Sequence, residues 1–267
     1  MLGLRRLWWR VLGRRQPGLR GRQPAKRVDL PFLHDGRKAL PPAYDVSHGF
    51  TAWGMLGNGP DRTLTLNGGQ PVGDCAWAAI QHGLMVKALV QKEDGSWGFR
   101  PDFKPPTSDE TVGLYFGYEV GNPPGQPATS GPDNGTCLAD GLAWACKGGI
   151  IKRYGPVDPT NKAAVHQALI EHKGLLVGVN LDAAAEAEFA RHLPWRELHD
   201  PTVGGHAIYQ IAYSLHLDTF VTWGADQLAT FDWDSDQVEE VWWFQAPWEP
   251  DTTSFRGYDK KLQAVLK

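Results

Sequence analysis

Cysteine is scarce in this chain: Cys75, Cys137 and Cys146 are the only three in 267 residues. An odd count excludes a complete disulfide framework. Cys137 and Cys146 fall in one helix-like stretch, TCLADGLAWACKGG, about 13 Å apart at 1.5 Å per residue and too far to bridge. Reduced thiols and an intracellular setting are therefore expected. Cys-x-x-Cys and His-x-x-x-His pairs are missing too, so neither a metal nor another cofactor is expected. No run approaches the ~18 apolar residues of a membrane span. The opening MLGLRRLWWRVLGRR lacks the long apolar core and small-residue cleavage site of a secretory signal. Twelve tryptophans are many, and read as core and cleft-wall packing rather than a carbohydrate or nucleic-acid platform.

Acids are absent from the first 27 residues, which hold Arg5, Arg6, Arg10, Arg14, Arg15, Arg20, Arg22, Lys26 and Arg27, a net +9. The whole chain carries −3, so the remainder carries −12. A basic arm on an acidic body reads in three ways: a solubilising tail, a docking arm for a protein or nucleic acid, or a propeptide or targeting piece.

The stretch QPVGDCAWAAIQHGL places Cys75 where a turn becomes a helix. A structural thiol needs no such place. A nucleophile does, because a helix's first turn aims unpaired N–H groups and partial positive charge at it. The helix, about residues 75–90, is apolar on most sides and should be central. Thr107 and Glu110 have capping-box spacing ahead of another helix, and EDGSWGFRPDFKPP reads as loop. After residue 150 the texture becomes mainly β: LLVGVNL, GGHAIYQIAYS, DTFVTWGA and LATFDWD are strand-like. The fold class expected is α+β, a helical half facing a β-rich half across a cleft.

Of nine histidines, most sit in polar helices and loops. His82 follows Cys75 by seven residues on the same helix face, about 10 Å away, and reads as packing. His206 differs. Two glycines precede it at the entrance of an apolar strand, where a dyad could fit. It lies 131 residues after Cys75, inside the spacing of papain-type pairs.

At these residues the chain resembles the papain-like cysteine peptidases. GDCAWAA looks like that family's nucleophile turn, GGHAIYQIAYS like its histidine strand, and FVTWGADQ like its Asn-Ser-Trp-Gly segment. The closest flavour is that of divergent members from actinobacteria and their phages. The resemblance spans about residues 50–245. It implies a two-lobed fold, with a basic arm at 1–27 and a papain-like domain at 28–267. Within that domain it implies a helical lobe at about 50–150, a β-rich lobe at about 151–250 and a tail at 251–267.

It also implies Cys75 as nucleophile and His206 as general base and then acid. The oxyanion would be held by the Cys75 N–H and a side-chain amide from Gln70, with Asn67 as the alternative. Trp223 would shield the dyad. The family's orienting asparagine falls on Val221, which cannot hold an imidazole. In a regular strand Thr222 would point to the other face, and Asp226 would need a short turn to come back. Thr222 and Asp226 are the supporting candidates.

The function these residues imply is thiol hydrolysis of a peptide or amide bond in a peptide or protein substrate. One alternative is an inactive papain-fold assembly protein, a virion component that docks on a phage structural protein or on nucleic acid through its arm. A transglutaminase-like acyl transferase, separable by amine incorporation, shares the Cys-then-His order. The expected location is cytoplasmic or virion-associated.

Overall fold

The computed structural model describes residues 34, 36, 39–57, 72–196, 201–251 and 258–266. The basic arm, Asn67 and Gln70 lie outside the described residues. The first half holds a two-residue strand β1 (Tyr44–Asp45), helix α1 (Cys75–Lys87) and a hairpin of β2 (Leu89–Gln91) and β3 (Trp97–Phe99). Helices α2 (Ser108–Glu119) and α3 (Leu138–Lys147) follow. The second half holds β4 (Arg153–Val157), α4 (Lys162–His172), β5 (Leu175–Asp182), α5 (Ala183–Phe189), β6 (Thr202–Tyr213), β7 (Leu217–Thr222) and β8 (Ala225–Thr230). It ends in α6 (Phe231–Gln237), β9 (Val238–Gln245) and α7 (Tyr258–Leu266). Seven strands form one antiparallel sheet in the order β4-β9-β5-β6-β7-β8, with β1 on β6.

Local chemistry explains most boundaries. Thr107 and Glu110 close the expected capping box at α2. The expected Cys75 helix ends at Lys87, because Leu89 turns into β2. The stretch EDGSWGFRPDFKPP, expected as loop, contains the β2–β3 turn and the strand β3 itself. LATFDWD is a strand only to Thr230, whose hydroxyl accepts the Trp233 amide and caps α6.

Helix α1 is the axle. All its residues but Cys75 are buried. On the sheet side Gly83 admits Tyr209 and Phe244: a Cβ there would come within 2.4 Å of Phe244 Cζ and 2.5 Å of Tyr209 Cε2. On the other side Trp77 meets Trp144 of α3 edge-on at 5.2 Å and Tyr118 of α2 at 5.8 Å. Its indole N–H reaches Thr136 Oγ1 at 3.2 Å. The many tryptophans thus serve the core: Trp53, Trp77, Trp195, Trp233 and Trp243 are all fully buried. No helix among the described residues is long and apolar enough to cross a membrane.

Candidate active site

Cys75 is the first residue of α1 and is half-buried, whereas Val72, Gly73 and Asp74 before it are buried. The turn leading to it is pinned from outside: Gly73 N–H donates to Asp133 Oδ1 at 2.8 Å, and Tyr115 Oη–H donates to the same oxygen at 2.7 Å. Three backbone amides, those of Ala207, Ala76 and Cys75 itself, act on the sulfur and favour its thiolate. Burial outweighs them and the charge of Asp74 adds to it, so the thiol is pushed up to about 11.

Ala207 follows His206 in β6. An amide at the Cys75 sulfur therefore places the sulfur against the His206–Ala207 peptide. The imidazole is half-buried, and burial pushes it down to about 3. Its Nε2 lies 2.8 Å from Thr222 Oγ1. Trp223 stacks on the ring at 4.7 Å and 22°, and is itself braced edge-on by Phe189 at 4.7 Å and by Trp195 at 6.3 Å. Burial thus favours the neutral form of both groups, and Nδ1 is the ring nitrogen not engaged by Thr222.

The orienting position corrects the sequence reading. Val221 opposes Tyr209 across the β6–β7 ladder, so Thr222 shares a face with Ile208 and His206, and Val221 does not. A register shift between Gln210 and Ala212 sets this pairing; a one-residue slip of that kind moves every side chain to the opposite face. Asp226 does not reach the imidazole. It sits in β8 opposite Val221 and accepts the Trp53 Nε1–H at 2.6 Å. Between Thr222 and Ala225 the chain turns on Trp223 at φ 47° and Gly224 at φ 78°, the two left-handed positions of a type I′ hairpin.

The sheet beside Ala207 carries an acid. Gly178 pairs with Ala207 on one side and with Glu240 on the other. A Cβ on Gly178 would meet Glu240 Cγ at 2.8 Å and Leu138 Cδ1 at 3.1 Å. The Glu240 side chain thus lies over Gly178, one strand from Ala207, with Trp242 Nε1–H donating to its Oε2 at 2.9 Å.

One cluster among the described residues has metal-ligand chemistry: His34, Glu171 and His172, whose ligand atoms lie within 4.8 Å of one another. They also contact one another directly. Glu171 Oε2 meets His34 Nδ1 at 3.2 Å, and His34 Nε2 meets His172 Nε2 at 3.0 Å. The half-buried His172 stacks on Trp243 at 4.4 Å, and the buried His166 on Tyr213 at 3.8 Å.

No family model matches the chain, and no curated protein matches it. Solved structures do. Xylellain, a cysteine protease from Xylella fastidiosa, superposes with a TM-score of 0.51 at 14% identity, over 78% of this chain and 87% of that one. A digestive procathepsin L 3 from Tenebrio molitor larval midgut covers 89% of this chain and 78% of its own, with a TM-score of 0.46 at 8% identity. The fold is papain-like. Within that papain-like frame, Cys75 opens the central helix, and His206 lies inside β6, four residues after its first residue Thr202 rather than at the strand entrance, in the sheet that the helix packs on. Thr222 is the side chain whose hydroxyl lies at hydrogen-bond distance from the His206 ring. Sequence spacing alone pointed to Val221; the signal it lacked was the register shift in β6.

Proposed function

We propose that the chain is a thiol hydrolase that cleaves a peptide or amide bond through Cys75 and His206. The observation that carries this is the joint placement of the two groups. The sulfur sits at a helix N-terminus against the His206–Ala207 peptide, and the imidazole is held from behind by Thr222 and from above by Trp223.

The chemistry follows from the proton positions. Nε2–H donates to Thr222 Oγ1, which leaves Nδ1 to take the proton of the Cys75 thiol as sulfur attacks the substrate carbonyl. The carbonyl π pair moves to oxygen, and the Cys75 N–H donates to that oxyanion; Gln70 is the proposed second donor, with Asn67 the alternative. His206 returns the proton to the leaving amine as the C–N bond breaks, giving a thioester and a free amine. Water then loses a proton to His206 and adds to the thioester. Collapse releases the carboxylic acid and returns the thiol. Thiolate and imidazolium arise together, so each offsets the burial that disfavours the other.

The test is modification of the full chain with iodoacetamide or an epoxide probe, read residue by residue. Cys75 is expected to react faster than Cys137, although Cys137 is exposed and Cys75 is half-buried. If Cys75 reacts no faster than Cys137 and Cys146, the proposal fails. The assembly-protein reading rests on the +9 arm; it expects deletion of residues 1–27 to abolish partner association while the body stays folded.

A further inference from the structure

We infer that His82 and the Trp53–Asp226 pair are positioning residues for the His206 imidazole, acting through a backbone contact between Gly54 and the Trp223–Gly224 turn. The inference rests on the reading of Cys75 and His206 as the reacting pair.

Seven residues after Cys75 brings α1 about 20° short of two full turns, so His82 lies on the same stripe about 10 Å further on. Its ring is buried, and its Nε2 sits 2.8 Å from the Gly54 carbonyl oxygen. A carbonyl only accepts, so Nε2 carries the hydrogen and the ring works as a neutral donor. Burial agrees, pushing the ring down to about 4.

Gly54 is the far side of a close contact. A Cβ on Gly224 would lie 2.9 Å from the Gly54 carbonyl carbon and 3.0 Å from the Met55 nitrogen. Backbone touches backbone there, and both glycines have positive φ, +70° and +78°. Next to Gly54, the buried Trp53 ties its indole N–H to Asp226 at 2.6 Å. Asp226 lies two residues after Gly224, at the exit of the same turn. The turn is thus gripped on two sides.

What the turn carries makes the grip matter. Thr222 enters it and holds His206 Nε2; Trp223 forms it and covers the ring. Trp223 sits at φ 47°, a left-handed conformation that costs a bulky residue energy and persists only where the surroundings over-determine it. Helix α1 therefore sets the sulfur with its first turn and, through His82 and Gly54, the cover of the imidazole with its third. One rigid element fixes both partners.

The test measures Cys75 alkylation by iodoacetamide across pH in the full chain, with Cys137 as internal control and circular dichroism for the fold. His82→Met removes the donor and keeps volume, His82→Gln keeps an N–H at similar reach, and Trp53→Phe removes the indole N–H together with one of the two fused rings. His82→Met and Trp53→Phe are each expected to slow Cys75 about tenfold at neutral pH and to shift its profile toward that of His206→Ala, while His82→Gln stays within about twofold of the parent. Unchanged rates and profiles in folded His82→Met and Trp53→Phe, with His206→Ala still slow, overturn the clamp and leave the dyad standing. If His206→Ala also reacts like the parent, the dyad reading falls and the clamp with it. Should His82→Met not fold, Trp53→Phe decides by the same criteria.

Discussion

The two ends of α1 each meet a histidine from elsewhere in the chain, and they treat it in opposite ways. At the C-terminal end Lys87 is buried and donates to the His172 carbonyl, lies 3.8 Å from Glu249 and faces the Phe244 ring at 5.1 Å. His172 is stacked and bonded to His34, which is bonded to Glu171. Ring nitrogens, ammonium and carboxylates answer one another. At the N-terminal end, about 18 Å away by helix rise, Cys75 meets backbone amides and His206 has one side-chain bond. Both groups are half-buried. A polar cluster whose members bond one another holds a fold together; a pair whose side chains make few such bonds can act on something else.

The sharpest way to break this contrast is to remove one polar side chain from each end. His206→Ala should slow Cys75 alkylation at neutral pH, and any peptide hydrolysis, by about 10²-fold or more, because the base supplies that much. Lys87→Met at the other end should leave the Cys75 rate unchanged and register in thermal melting. Equal effects on reactivity from both ends would erase the distinction.

Thr222→Val comes next. The substitution keeps shape and loses the hydroxyl, so the imidazole keeps its cover but not its bond. About tenfold loss of Cys75 reactivity is expected, with Thr222→Ser close to the parent; the value is set by a neutral hydrogen bond of about 1 kcal/mol and the misalignment that follows its loss.

The pH profile sharpens the same point. Between the imidazole's value of about 3 and the thiol's of about 11, the pair holds one proton in total, so its reactivity should be flat through neutrality. Exposed Cys137 should instead rise with pH. In His206→Ala the flat region should vanish and Cys75 should climb toward alkaline pH like an ordinary buried thiol.

Much of this was legible from the chain and some was not. Cys75 announced itself by position, because a thiol after Gly-Asp at a helix start is a local feature. His206 stands out in the sequence by its spacing from Cys75 and by the glycines ahead of it. The α+β division and the capping box of α2 follow from periodicity and from Thr107 and Glu110. Thr222 is a supporting candidate in the sequence, but its facing the imidazole depends on a register shift in how β6 pairs, and strand pairing is non-local. Asp226 was offered to the imidazole because its distance in sequence allowed it; Trp53, 173 residues away, claims it instead. His82 read as packing since nothing in α1 reveals a carbonyl waiting at Gly54.

The last expected effect concerns acid and His82, and it falls on stability rather than on reactivity. A histidine held at about 4, against about 6.5 unfolded, binds fewer protons folded than unfolded below neutrality. Its contribution is complete above pH 6.5 and is lost as pH falls toward 4, about 3 kcal/mol across that interval. Glu186, pushed up to about 7 chiefly by burial, runs the other way over the same range, since its cost at neutral pH vanishes on protonation. The raw stability curve therefore mixes both. The difference between parent and His82→Gln isolates the histidine: the parent's advantage in denaturant unfolding should shrink as pH drops from 7 to 4. A pH-independent difference would mean that the ring bonded to Gly54 is not held neutral by its burial, and the contrast between an enclosed His82 and a solvent-reaching His206 would lose its electrostatic basis.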